Sequence, residues 1–259
     1  MEKIYSGPKA LTEYILYHSK HKADKRTSIL LVQGILAGMY ISLGAIGYFK
    51  VAGSIADPGM GAFLGAVVFP FGIIAILLMQ AELFTSDSMV MIAVYDGRTT
   101  FNRILGILTL ILLANLIGAI LTALLSHGAG IFNDSTLKLI ISKAEHKVHM
   151  STMQMFLSGV LCNILVSTGV CLAYSCKDEI AKIIVVWLAI TVFVISGTEH
   201  VVANMYYLFM AYFGGGHISL LQIFYSLLIV AFGNFIGGGV IVSGINYLLA
   251  YRDIKKTEA

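Results

Sequence analysis

The sequence predicts an all-α membrane protein: six transmembrane helices laid out as an inverted repeat, with the second and fifth helices broken. Three observations lead there. Hydrophobic residues make up 58% of the chain and charged residues 12%, about half the charged share of a soluble domain. Six apolar stretches, at 29–49, 60–95, 104–125, 153–174, 183–212 and 220–250, reach the roughly 20 residues that cross a bilayer core. The second and fifth are too long for one straight crossing at about 1.5 Å per residue, and each carries a polar interruption. Interruptions at matching places in two halves point to a substrate pathway at a repeat interface, hence to a channel or transporter.

Residues 1–27 form a polar lead-in in which Leu11, Tyr14, Ile15, Tyr17 and His18 recur at roughly helical spacing. This predicts an amphipathic helix on the cytoplasmic surface, either an orienting tail or a gating plug. The chain opens without a short apolar run and small-residue cleavage site, so the first span is expected to do the targeting. A channel domain is expected over 28–250 and a short charged tail over 251–259. Gly34 and Gly38 in the first span are spaced for close helix approach in lipid, as is Gly237-Gly238-Gly239 in the sixth. The second span is interrupted by Glu82-Leu83-Phe84-Thr85-Ser86-Asp87-Ser88, and the fifth by Ser196-Gly197-Thr198-Glu199-His200. Cys162, Cys171 and Cys176 lack a C-x-x-C spacing and read as packing thiols.

Orientation follows from the basic residues. Thirteen of the 17 Lys and Arg fall on one side of the six spans and four (Lys50, Lys138, Lys143, Lys147) on the other. The positive-inside rule then places both termini in the cytoplasm. The net charge of +3 reflects this topology and not a nucleic-acid partner.

The halves repeat. Gly34-Ile35-Leu36-Ala37-Gly38 matches Gly159-Val160-Leu161-Cys162-Asn163, Glu82 matches Glu199, and Asn115-Leu116-Ile117-Gly118 matches Asn234-Phe235-Ile236-Gly237. Three spans per half give the halves opposite orientations, with the two breaks meeting near the midplane.

Within the breaks, Thr85 supplies a hydroxyl that donates or accepts, with bulky Leu83 and Phe84 beside it. Irregular backbone at this depth is tolerated where protein buries it or where it lines a water-filled cavity. His200 alone among the histidines lies deep inside a span. Its ordinary pKa of about 6.5 lets it exchange a proton near neutrality, and Glu199 is expected to hold the loop backbone or the imidazole. Lys147, just ahead of the fourth span, is either a cation at a pore mouth or an interfacial lysine reaching for headgroups. Asn163 and Asn234 offer amides within apolar spans. The pair His146 and His149 has no evident third metal ligand.

Taken together, Glu82-Leu83-Phe84-Thr85-Ser86, Lys147-Val148, Leu161-Cys162-Asn163, Glu199-His200-x-x-Ala203-Asn204-Met205 and Gly233-Asn234-x-x-Gly237-Gly238 resemble the formate/nitrite transporter family over nearly the whole chain. The resemblance implies an aquaporin-like fold, a homopentamer with one pore per protomer, and a prokaryotic inner or plasma membrane. It places Thr85 in an omega-shaped loop facing His200, Lys147 as the outer positive group, and Asn163 and Asn234 as hydrogen-bonding groups in the pore. It assigns an outer constriction to Phe69, Ile73 and Phe193 and an inner one to Leu83, Phe84 and Val166. Ile73 stands where a formate-transporting relative has leucine. The implied cargo is a small monovalent weak-acid anion, moved with protons through the apolar pore, with hydrosulfide expected first and formate or nitrite as the alternative. No cofactor, metal or enzymatic activity is expected. Two other classes fit poorly. A neutral-solute aquaporin would carry an Asn-Pro-Ala signature, which is absent, and a haem-bearing redox subunit would need a second deep ligand beside His200.

Overall fold

Capping residues set where most of the helices begin. In the computed structural model, which describes residues 7–23 and 25–257, the regular elements are all helical. The first six residues of the expected lead-in, residue 24 and the last two of the tail lie outside the described residues. Asp57, Thr100, Asn133 and Asp178 each accept a backbone N–H three residues on. Ser151 and Ser219 form capping boxes with Gln154 and Gln222. Each cap satisfies an N–H that a helix leaves unpaired at its start.

The first half runs α1 (Pro8–Ala23), α2 (Thr27–Ala52), α3 (Pro58–Val68), α4 (Phe71–Met79), a break, α5 (Phe84–Asp87), a 3-10 turn (Ser88–Met91), α6 (Ile92–Tyr95) and α7 (Phe101–Gly128). The second runs α8 (Asp134–His149), α9 (Thr152–Tyr174), α10 (Glu179–Ile195), a break, α11 (Val201–Phe213), α12 (Leu220–Phe235), a π-helical stretch (Ile236–Val242) and α13 (Ser243–Thr257). Among the described residues five helices are long and apolar enough to cross a membrane: Thr27–Ala52, Pro58–Met79, Phe101–Gly128, Thr152–Tyr174 and Leu220–Tyr251. The expected fifth span is divided between α10 and α11.

Several features depart from the sequence reading. The first break falls at 80–83, ahead of most of the polar cluster, and Thr85 lies in the first turn of α5. Gln80 takes a left-handed conformation, with φ 53°, that ends α4, and the chain is extended again by Leu83. Pro70 divides α3 from α4, a bend that its missing N–H explains. The connection between the third and fourth spans is the amphipathic helix α8, which buries Ile140, Ala144 and Val148 at helical spacing. Helix α13 continues through Thr257, past the expected end of the sixth span.

Glycine lets the helices within each half pack tightly. A Cβ on Gly38 would meet the Asn115 carbonyl of α7, and one on Gly118 would meet the Ile35 carbonyl of α2. In the second half Gly233 and Gly237 bear on the backbone of α9 in the same way, at Phe156 and Val160. The π-helical turns centre on Gly237-Gly238-Gly239, where a side chain on Gly238 would strike Ser88, Asn163 and Ser167.

Candidate functional site

Each break is held from behind by one asparagine. Asn115 accepts the Phe84 N–H at 3.0 Å and donates to the carbonyls of Gly34 (2.8 Å) and Glu82 (2.9 Å). Asn234 accepts the Val201 N–H at 2.9 Å and donates to the carbonyls of Gly159 (2.7 Å) and Glu199 (2.9 Å). Both are fully buried. An extended segment in an apolar interior needs such partners, since no water satisfies its backbone. The Asn234 amide, expected in the pore, is thus occupied by backbone. Asn163 is also fully buried and donates to the carbonyls of Thr85 (3.1 Å) and Asn234 (2.6 Å), tying the two breaks together.

At their meeting point the Thr85 Oγ1 and His200 Nε2 lie 2.9 Å apart. His200 N-caps α11, with Nδ1 accepting the Ala203 N–H at 3.1 Å. A nitrogen that accepts carries no proton, so the neutral ring holds its hydrogen on Nε2 and donates it to Thr85. The Thr85 hydroxyl hydrogen is then left for another acceptor. An imidazolium would turn Nδ1–H against the Ala203 N–H, so the cap favours the neutral ring.

Apolar side chains surround this pair. Phe69, Ile73 and Phe193 are buried on one side, with the Phe193 ring 6.1 Å from Phe69 and 5.6 Å from His200. Leu83, Phe84 and Val166 are buried as well.

On the α8 side a cavity of about 430 Å³ is lined by Lys147, Phe193, Glu199, His200, Asn204 and Tyr207, among others. Lys147, expected as a cation at a pore mouth or as an interfacial lysine reaching for headgroups, is ion-paired with Glu199 at 2.7 Å and only 11% exposed. Asn204 donates to the other carboxylate oxygen at 2.6 Å. Glu199 therefore holds the lysine, while its own N–H reaches Ser158 Oγ at 3.1 Å.

A second cavity, about 690 Å³, opens on the α1 side. Here Lys22 pairs with Asp87 and with Glu82 (2.6 Å), and Lys25 pairs with Glu82 at 2.6 Å. Burial would push the Lys22 ammonium down, but the carboxylates of Asp87 and Glu82 outweigh it and hold the group above its usual range. Sequence reasoning missed this cluster. A signal was present: Lys22 stands twelve residues before Gly34, as Lys147 stands twelve before Gly159, and Asp87 follows Glu82 at the interval by which Asn204 follows Glu199. The repeat therefore includes α1 and α8. Among the described residues no group of three or more His, Cys, Asp or Glu side chains converges to hold a metal ion, and the three cysteines are free.

Comparison with known proteins gives the arrangement its place. The formate/nitrite transporter family model matches residues 9–248. A formate channel of Bacillus thuringiensis, BtFdhC, is 30% identical with 96% of each chain covered. The uncharacterized transporter YrhG of Bacillus subtilis is 34% identical over 96% of this chain and 94% of its own. Among solved structures, an ion channel of the same family superposes with a TM-score of 0.86 at 27% identity, covering 93% of this chain and 98% of that one. A pentameric formate channel with formate bound gives 0.80 at 26% identity, with 87% and 97% covered. With that span of matched sequence and that agreement of fold, the chain belongs to the formate/nitrite transporter family.

Proposed function

We propose that the chain conducts small monovalent weak-acid anions across a prokaryotic plasma membrane, each substrate crossing the narrow stretch as its neutral acid. The observation that carries this reading is the buried Thr85–His200 pair at 2.9 Å, set between two interrupted helices and walled by apolar side chains. A bare anion is opposed there, because desolvating a charge without a partner costs many kcal/mol. The Lys147–Glu199 pair borders the outer cavity, where the remaining ammonium hydrogens of Lys147 can hydrogen-bond an anion before it reaches that barrier. Protonation belongs in the cavity water, since the Ala203 cap keeps His200 neutral and a neutral imidazole has no proton to spare. Thr85 then offers its hydroxyl hydrogen to the passing acid, while His200 fixes the direction of that hydroxyl.

Formate is the first cargo to test, because curated relatives matched over nearly their whole length are named formate channels. Hydrosulfide, expected from the sequence, stands as the second reading. The narrow stretch presents a hydroxyl, an imidazole and apolar walls, without the guanidinium fork that would single out a carboxylate. A homopentamer with cytoplasmic termini fits the pentameric relative and the basic-residue asymmetry.

The test is uptake of formate, nitrite and hydrosulfide by proteoliposomes against protein-free vesicles, from pH 5 to 8. Protein-dependent flux that rises as pH falls supports the reading, and flux fastest for hydrosulfide restores that cargo. Flux independent of pH overturns neutral-acid passage.

A further inference from the structure

The two mouths of the pathway share a lysine–glutamate pair but differ in the groups beside it, and one of those groups is a carboxyl. At the α8 mouth a lysine, a glutamate and an asparagine form a neutral set: Lys147 on one oxygen of Glu199 and the Asn204 amide on the other. At the α1 mouth Lys22 and Glu82 repeat the pair, but Asp87 stands where Asn204 stands, and a second cation, Lys25, has joined. Asp87 is 6% exposed, and its Oδ2 finds no hydrogen-bond partner. A carboxylate cannot do what the Asn204 amide does, since it has no hydrogen to give Glu82. A protonated carboxyl can, and the two acids lie within hydrogen-bonding reach.

We infer that Asp87 is a proton-operated counter-charge: ionised, it balances the two lysines, and protonated, it donates to Glu82 and leaves one lysine charge free to bind an anion in the α1-side cavity. The inference rests on the transport reading above. It makes the affinity of that mouth for anions increase as the adjoining solution becomes acid, by a device the other mouth lacks.

Other titratable groups surround Asp87. Lys22 comes from α1 and Tyr174 from α9. Tyr14, Tyr17 and His18 of α1, Lys25, and the Glu179–Lys182 ion pair of α10 complete the cavity lining. Lys22 is held protonated by its carboxylate neighbours, so it does not titrate in the range where the switch works. His18 is the one imidazole in that lining, and His18→Gln is the control for it.

The experiment uses full-length protein in uniformly oriented proteoliposomes, with formate as the probe and pH varied from 6 to 8 on one side at a time. Formate stays an anion throughout that range. For the wild type, the KM for formate on the α1 side falls as that side is acidified. Asp87→Asn holds the low acid-side KM at every pH, about tenfold below the wild-type value at pH 8, the order expected for one uncompensated charge a few ångströms away. Adding Lys25→Gln to Asp87→Asn recreates the α8-mouth composition and returns the KM to the wild-type pH 8 value. Should Asp87→Asn not assemble, Lys25→Gln alone carries the test, with its KM at pH 6 raised to the wild-type pH 8 value. An Asp87→Asn protein that keeps the wild-type pH dependence overturns the inference, as does a His18→Gln protein that loses it. In either case normal flux leaves the transport reading standing, whereas a wild type that moves none of the three anions removes that reading instead.

Discussion

The Thr85 hydroxyl and the His200 ring do different work, and isosteric changes separate them. Thr85→Val keeps the shape and removes the one hydrogen offered to a substrate, so formate flux is expected to fall about tenfold or more with the fold intact. That is the range for losing a hydrogen bond to a buried polar group, roughly 1–3 kcal/mol. Stopped-flow uptake together with a thermal melt checks both halves of the statement. Lys147 and Glu199 behave as a unit. Removing one partner of a buried ion pair leaves the other charge stranded, at a cost of about 3–5 kcal/mol. Lys147→Met and Glu199→Gln alone are each expected to lower the melting temperature markedly, and the double variant to melt above either single one. A double variant that melts below both would show that the two residues do not share one interaction.

At the scale of elements, the glycines and asparagines that pin each broken helix are the sensitive points. Gly118→Ala places a methyl against the Ile35 carbonyl with only backbone to move, so α2 and α7 must separate. Asn115→Leu strands the Phe84 N–H and the Glu82 carbonyl at the break. Both are expected to reduce the yield of folded, monodisperse protein on size-exclusion chromatography, and Gly106→Ala, which meets open space, is expected to leave it unchanged. The breaks themselves could be read from the sequence, because ionisable residues inside apolar runs are visible without coordinates. The register of the repeat could be read too, since the Glu82–Asn115 and Glu199–Asn234 separations of 33 and 35 residues reappear as hydrogen bonds. The position of the first break was less legible. It depends on where Asn115 catches the backbone, and polarity along the chain does not encode that. Helix α8 carried its own apolar periodicity at Ile140, Ala144 and Val148, but it lies between the six spans that the hydropathy pattern picks out. The contacts of Lys22 and Lys25 with residues some sixty positions away depend on how α1 lies across the molecule, which no local pattern specifies.

For the whole molecule, assembly and pH response are the properties to measure. Native mass spectrometry of the detergent-solubilised protein is expected to give five times the 28.0 kDa chain mass, as the pentameric relative suggests. The lysine–glutamate pair at each mouth has a further consequence. A duct whose two ends are near-copies turned over in the bilayer has little to tell forward from backward, so its protein-dependent flux should be nearly equal in the two directions in matched solutions. Any preference for one direction must originate where the copies disagree, among them Asp87 against Asn204, Lys25 without a counterpart, His200 opposite Leu83 and Thr85 opposite Val202. Directionality in this protein then lies in those mismatches, and exchanging them between the halves should reverse the sign of the asymmetry while the total flux stays the same.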